Sequence, residues 1–146
     1  MVQLQNQFIQ TPEKGQLTLD PNWSSLNVQV STNEAATLVP GQAVLIEDAV
    51  GKQIPVVKAA LTTDAIFGFV TFNVRTDEYV ALDQVKVAKT NDIMLMEASA
   101  AIARGASLEY VVTGQKVATK ATGTTIGVAL DKAAADGDLI RVLITI

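Results

Sequence analysis

Ile93-Met94-Leu95-Met96-Glu97-Ala98-Ser99-Ala100-Ala101-Ile102-Ala103-Arg104-Gly105 is the stretch on which the fold class turns. Taken alone it reads as a helix: Asn91-Asp92 offers an N-cap, the body is rich in helix formers, and Gly105 stands where a helix would end. As a strand, it would leave the whole chain all-β.

An internal repeat decides between the two. Leu38-Val39-Pro40-Gly41-Gln42-Ala43-Val44-Leu45 lies over Ile102-Ala103-Arg104-Gly105-Ala106-Ser107-Leu108-Glu109, and Ile66-Phe67-Gly68-Phe69-Val70 over Thr125-Ile126-Gly127-Val128-Ala129. Ala81-Leu82-Asp83-Gln84-Val85-Lys86-Val87 then lies over Asp136-Gly137-Asp138-Leu139-Ile140-Arg141-Val142. Ile102 takes the place of Leu38, and Pro40 disfavours helix in the first copy. Residues 98–104 are therefore expected to be non-helical or one turn at most, with residues 93–96 a strand. Each unit reads as a Gly turn, a strand, a longer excursion, an apolar-Gly-apolar strand with close backbone approach, and an Asp-led turn into a closing strand.

Outward from the repeat, short apolar runs at residues 43–47, 54–59, 67–74, 84–88, 108–112, 116–119, 126–130 and 139–146 alternate with Gly, Asp, Asn and Thr. Leu17-Thr18-Leu19 and Leu26-Asn27-Val28-Gln29-Val30 show the two-residue period of half-buried strands around the turn Asp20-Pro21-Asn22. Residues 62–66 fit one helical turn or a loop. The expectation is an all-β fold, a compact barrel or sandwich of short strands from two repeated β units, with an extended N-terminal arm. Residues 1–34 form that polar arm with its short strands. Residues 35–146 form a single β domain, with repeat units at about 36–90 and 100–146. The final apolar run is expected to pair into the sheet and not to fray.

The 146 residues suffice for one domain with a core of its own, and 49% of them are hydrophobic against 18% charged, too apolar for a disordered chain. Cysteine and histidine are absent, which removes disulfides, thiolate and imidazole metal sites, and imidazole-activated nucleophiles. A net charge of -4 with scattered basic residues argues against binding to nucleic acid. The N-terminus lacks the basic start and apolar core of a signal peptide, and no apolar stretch approaches membrane-helix length. A soluble protein made in a cytoplasm is expected.

No carboxylate pair, Lys or Tyr forms a recognisable catalytic set, so no catalytic, cofactor-binding or metal-binding residue is named and the chain is read as a non-enzyme. Asp131-Lys132-Ala133 resembles the modified-lysine turn of lipoyl domains, but Gly137 follows too soon for the strand that turn requires, leaving an ordinary solvated lysine. Asp136-Gly137-Asp138 and Asp77-Glu78 lack the further acids of a calcium loop. Phe67, Phe69 and Phe72 read as a strand buried on both faces, since only Arg75 lies near enough to serve a nucleic-acid platform. Trp23 is either a core plug or an anchor on a partner. The partner-binding candidates are Gln3, Gln5, Gln7, Phe8 and Trp23, in a segment whose uncharged amides suit strand addition to a neighbour's sheet edge.

The second copy, from Ala101-Ile102-Ala103-Arg104-Gly105 through Ile126-Gly127-Val128-Ala129 to Asp136-Gly137-Asp138-Leu139-Ile140-Arg141-Val142, resembles the tailed-phage capsid cement (head decoration) proteins. The resemblance covers about residues 36–146; the Gln-rich N-terminal segment departs from it. It implies a non-enzymatic protein on the outside of an icosahedral head, bridging major capsid proteins, stabilising the shell, and self-associating as a homotrimer. It also implies location on the virion after synthesis in the host cytoplasm, with neither nucleic acid nor membrane as a direct partner. The alternatives are a carbohydrate-binding or adhesion β-module and, less in keeping with the residues, a small carboxylate-based enzyme.

Overall fold

The computed structural model describes residues 13–17, 26–34, 36–48, 51–61, 64–73, 76 and 78–146. Its strands are β1 (Leu26–Val30), β2 (Ala43–Glu47), β3 (Val56–Ala59), β4 (Gly68–Val70), β5 (Gln84–Ala88), β6 (Ile93–Glu97), β7 (Ser107–Val111), β8 (Lys116–Thr119), β9 (Gly127–Ala129) and β10 (Leu139–Ile144). The fold is all-β, and no helix occurs among the described residues. The stretch with helical composition became β6 because its apolar residues satisfy two periods at once, and packing selects the two-residue one. Met94 and Met96 are fully buried between half-buried neighbours, and five residue pairs tie β6 to β10. Residues 64–66 form a loop, while residues 18–25, with the expected turn and Trp23, lie outside the described residues.

The first five strands close into a barrel in the order β1-β3-β2-β4-β5, and the second five form a sheet in the order β6-β10-β9-β7-β8. A parallel bridge between Ala98 and Val117 brings the β6 end back to β8, as Val30 meets Val57 between β1 and β3. The two units thus share one connectivity and one register. Val44 faces Gly68 as Leu108 faces Gly127, Val70 faces Val87 as Ala129 faces Val142, and Val28 faces Val85 as Met96 faces Ile140. All three repeated sequence landmarks fall on register-equivalent positions. The glycine of the apolar-Gly-apolar strand is required by contact in both copies. A Cβ on Gly68 would lie 2.6 Å from the Ala88 carbonyl oxygen, and one on Gly127 would lie 2.4 Å from that of Leu143.

Val28, Val30, Leu38, Val44, Val57, Val70, Tyr79, Val85 and Val87 fill the first barrel. Their equivalents Met96, Ala98, Ile102, Leu108, Val117, Ala129, Ala133, Ile140 and Val142 fill the second unit. The remaining buried residues of that second cluster, Ala43, Ala60, Phe69, Ala88, Met94, Tyr110, Ile126 and Ile144, join the units. On the outside of the first barrel, Ala43, Phe69 and Ala88 form one in-register row across β2, β4 and β5, and Ala60 is held beside Ala43 by its N–H on the Ala43 carbonyl (2.9 Å). Against this wall sits one end of the second unit, made by Met94, Tyr110, Ile126 and Ile144. Phe69 and Tyr110 meet edge to face with ring centroids 5.9 Å apart, and the Tyr110 hydroxyl is hydrogen-bonded to the Ala43 backbone.

Residues 13–17 strap the same junction. The Gly15 N–H donates to the Leu95 carbonyl (2.7 Å), the Leu95 N–H to that of Gln16 (2.8 Å), and the Phe72 N–H to that of Gly15 (2.9 Å), so one short segment holds both units. The Lys14 ammonium reaches the Gly114 carbonyl at 2.8 Å.

Phe69 is the largest wall side chain and is fully buried. Phe69→Ala is expected to destabilise the chain by about 3–5 kcal/mol, read as a lower urea midpoint. Phe72→Ala, at a half-buried loop position, serves as the milder control.

Candidate functional site

Several charged side chains in the described residues are paired within their own unit. The Arg141 guanidinium donates to both carboxylate oxygens of Asp131 (2.9 and 2.7 Å), holding the Asp131 pKa down at about 2. Glu109 accepts the N–H groups of Ala121 (3.0 Å) and Gly123 (2.6 Å), which lower its pKa and fix the loop after β8. Lys116 sits 2.8 Å from Glu97 and 2.7 Å from Asp136, and these bonds raise its pKa. Asp138 caps its own turn through the N–H groups of Ala134 and Ala135, and Asp83 caps the equivalent turn through Val80. Lys132, in the turn compared with a lipoyl lysine, is exposed.

Among the described residues, no group of three or more acidic, His or Cys side chains could hold a metal ion, and no buried side-chain N or O atom lacks a partner. Tyr79 and Tyr110 are both buried and offer no stacking face. A groove of about 540 Å³ runs over the outside of the first barrel between Asn27, Phe72, Asn73, Gln84 and Lys86. Its described lining is made of amides, the Thr71 and Tyr79 hydroxyl-bearing side chains, Phe72, Val85 and the single cation Lys86.

What the molecule does present is apolar surface, and it is lopsided. Leu26, Ile46, Leu61, Val80 and Leu82 are exposed on the first barrel, against Leu139 alone among the large hydrophobics of the second unit. Two of these lie on the turn before β5. Leu82 has φ +72° and is 57% exposed, while its equivalent Gly137 has φ +90°. A leucine in this left-handed conformation costs about 1–2 kcal/mol relative to the right-handed one, and its side chain recovers nothing from the core. The Leu82 N–H on the Val30 carbonyl and its own carbonyl accepting from Gln29 Nε2 hold the turn in place.

The proposed partner-binding residues Gln3, Gln5, Gln7, Phe8 and Trp23 all lie outside the described residues. Leu26, Ile46, Val80 and Leu82 were not singled out from sequence. The repeat held a sign of one of them, since the third landmark places Leu82 over Gly137, a leucine where the turn calls for glycine.

A family model described as phage cement protein matches residues 24–144. Among solved structures, the N base of the head fiber gp8.5 in bacteriophage phi29 superimposes with a TM-score of 0.55 at 15% identity, over 83% of this chain and 92% of that one, a likeness of fold. No curated protein matches the chain.

The Asp131–Arg141 pair makes a pH prediction. Because the folded-state pKa of Asp131 lies below its ordinary 3.8, the pair's contribution is complete above that pH and disappears as pH falls through about 2. Both partners are partly exposed, so Asp131→Asn is expected to lower stability at pH 7 by less than about 1 kcal/mol. Denaturation curves of variant and parent should converge on acidification.

Proposed function

The chain belongs to the phage cement protein family, whose members are structural proteins associated with the phage capsid, and from that premise we propose that it binds the outer surface of an assembled icosahedral head. There it bridges neighbouring major capsid proteins and stabilises the shell against the pressure of packaged DNA. In this reading the protein is non-enzymatic, is made in the host cytoplasm, and acts as a homotrimer on the capsid exterior.

The observation that carries the reading is the exposed apolar turn at Val80 and Leu82, with Leu82 held in a strained backbone. Strain kept at an exposed apolar position is accounted for when a partner covers it. The Val80 N–H is capped by Asp83 at 2.9 Å, so the turn is presented as a rigid knob and loses little entropy on docking. Of the segment read as an arm at residues 1–34, residues 26–30 are the barrel strand β1 and residues 13–17 bond Leu95 and Phe72, so residues 1–12, with Gln3, Gln5, Gln7 and Phe8, are proposed to add backbone hydrogen bonds at a capsid sheet edge.

Replacing Leu82 by glycine relieves the left-handed strain and removes the apolar side chain. Leu82→Gly is expected to leave the melting temperature unchanged or raised, while the Kd for expanded capsid shells, read from a co-sedimentation titration, rises at least tenfold, which corresponds to loss of about 1.4 kcal/mol of binding. Undiminished co-sedimentation would exclude the turn as a capsid contact. Deleting residues 1–12, which leaves the strap intact, is expected to weaken co-sedimentation independently; a deletion that binds like the parent removes the arm from the interface.

A further inference from the structure

The duplication allows each surface of one unit to be compared with its equivalent in the other, and one junction has no described counterpart. Inside the chain, the end of the second unit formed by Met94, Tyr110, Ile126 and Ile144 is covered by the first barrel's outer wall. By register, the same end of the first barrel carries Leu26, Ile46, Phe67 and Lys89. Leu26 and Ile46 are 41% and 50% exposed where Met94 and Tyr110 are fully or almost fully buried. Likewise, the wall row Ala43–Phe69–Ala88 has its equivalent in Ser107–Val128–Leu143, whose members are exposed or half-buried, with Lys120 in the place of Ala60. Each unit therefore has one surface used at the junction and one left over, and the two leftovers are the complementary kinds.

We propose that the Leu26–Ile46 end of the first barrel docks on the Ser107–Val128–Leu143 wall of a second copy of this chain, repeating between molecules the contact that joins the two units within one. This rests on the self-association proposed above and names the surfaces that carry it. The occupant is a second copy because the differences between the two junctions are matched in charge. Val112 and Ala60, both packed in the internal junction, have as equivalents Asp48 at the exposed end and Lys120 on the exposed wall. Two apolar positions of the internal junction, one on its end and one on its wall, thus correspond to an acid and a base on the surfaces brought together between chains, which favours this pairing over end-to-end or wall-to-wall contacts. At the exposed end, Lys89 lies 3.8 Å over the Phe67 ring and bonds the Phe67 carbonyl, so the ring lies beneath the ammonium. The contact is heterologous, so successive copies form a ring if the rotation closes.

Two variants at exposed positions separate the possibilities: Ile46→Lys spoils the end, and Ser107→Trp blocks the wall. Each should melt like the parent and sediment as a monomer at a concentration where the parent is oligomeric. Mixed in equal amounts they should form a one-to-one dimer and nothing larger, because each supplies the surface its partner lacks. If the parent is oligomeric and both variants remain so, these surfaces are wrong while self-association stands. If the parent is a monomer at all concentrations, both readings fall; if the monomeric variants fail to pair when mixed, the end-on-wall contact is excluded.

Discussion

The seating of Met94, Tyr110, Ile126 and Ile144 on the wall of Ala43, Phe69, Ala88 and Ala60 is the contact on which the rest of the molecule depends. A barrel of short strands encloses a small core, and its end is open to water unless something covers it. Here the second unit's open end is closed by the first unit's flat outer face. The wall is nearly all alanine, which lets the backbones approach, with a single Phe69 projecting to meet Tyr110 edge to face. Methionine on the covered end suits such a fit, since its unbranched chain fills irregular gaps.

The same contact explains why two copies of one unit diverged. Positions facing the junction became small on one unit and large on the other, whereas the inner positions of both stayed aliphatic or small, with Tyr79 as the one aromatic exception. Leu26 against Met94, Ile46 against Tyr110 and Ala60 against Lys120 record this divergence residue by residue. The first barrel consequently carries most of the exposed apolar surface, and the second unit carries the denser ionic pairing around Lys116 and Arg141.

Much of the architecture was legible in the chain. The strand at residues 84–88 was read with the bounds it has, as were those at 43–47 and 116–119, and the three landmarks of the repeat proved register-equivalent. The correspondence could not be extended to β1 and β6, because Leu-Asn-Val-Gln-Val and Ile-Met-Leu-Met-Glu share only their alternation. Of the expected strand at 67–74, Gly68–Val70 is observed, with the Thr71 N–H still bonded to the Lys86 carbonyl, and residue 74 lies outside the described residues. The candidate contact residues were less legible. An exposed isoleucine in an alternating strand looks the same in sequence as a buried one, and only its exposure distinguishes Ile46 from the core.

What the sequence determined by itself was the all-β class, the duplication and the lack of imidazole or thiol chemistry, because these depend on residue types and their local period. Local backbone preference and period reside in consecutive residues. The tertiary structure alone decided that the two units meet end on wall and which apolar side chains remain outside. Those outcomes depend on which surfaces face each other across the fold. Helical propensity in residues 93–97 is worth a few tenths of a kcal/mol per residue, whereas a β10 partner and two fully buried methionines are worth about 2 kcal/mol or more per side chain.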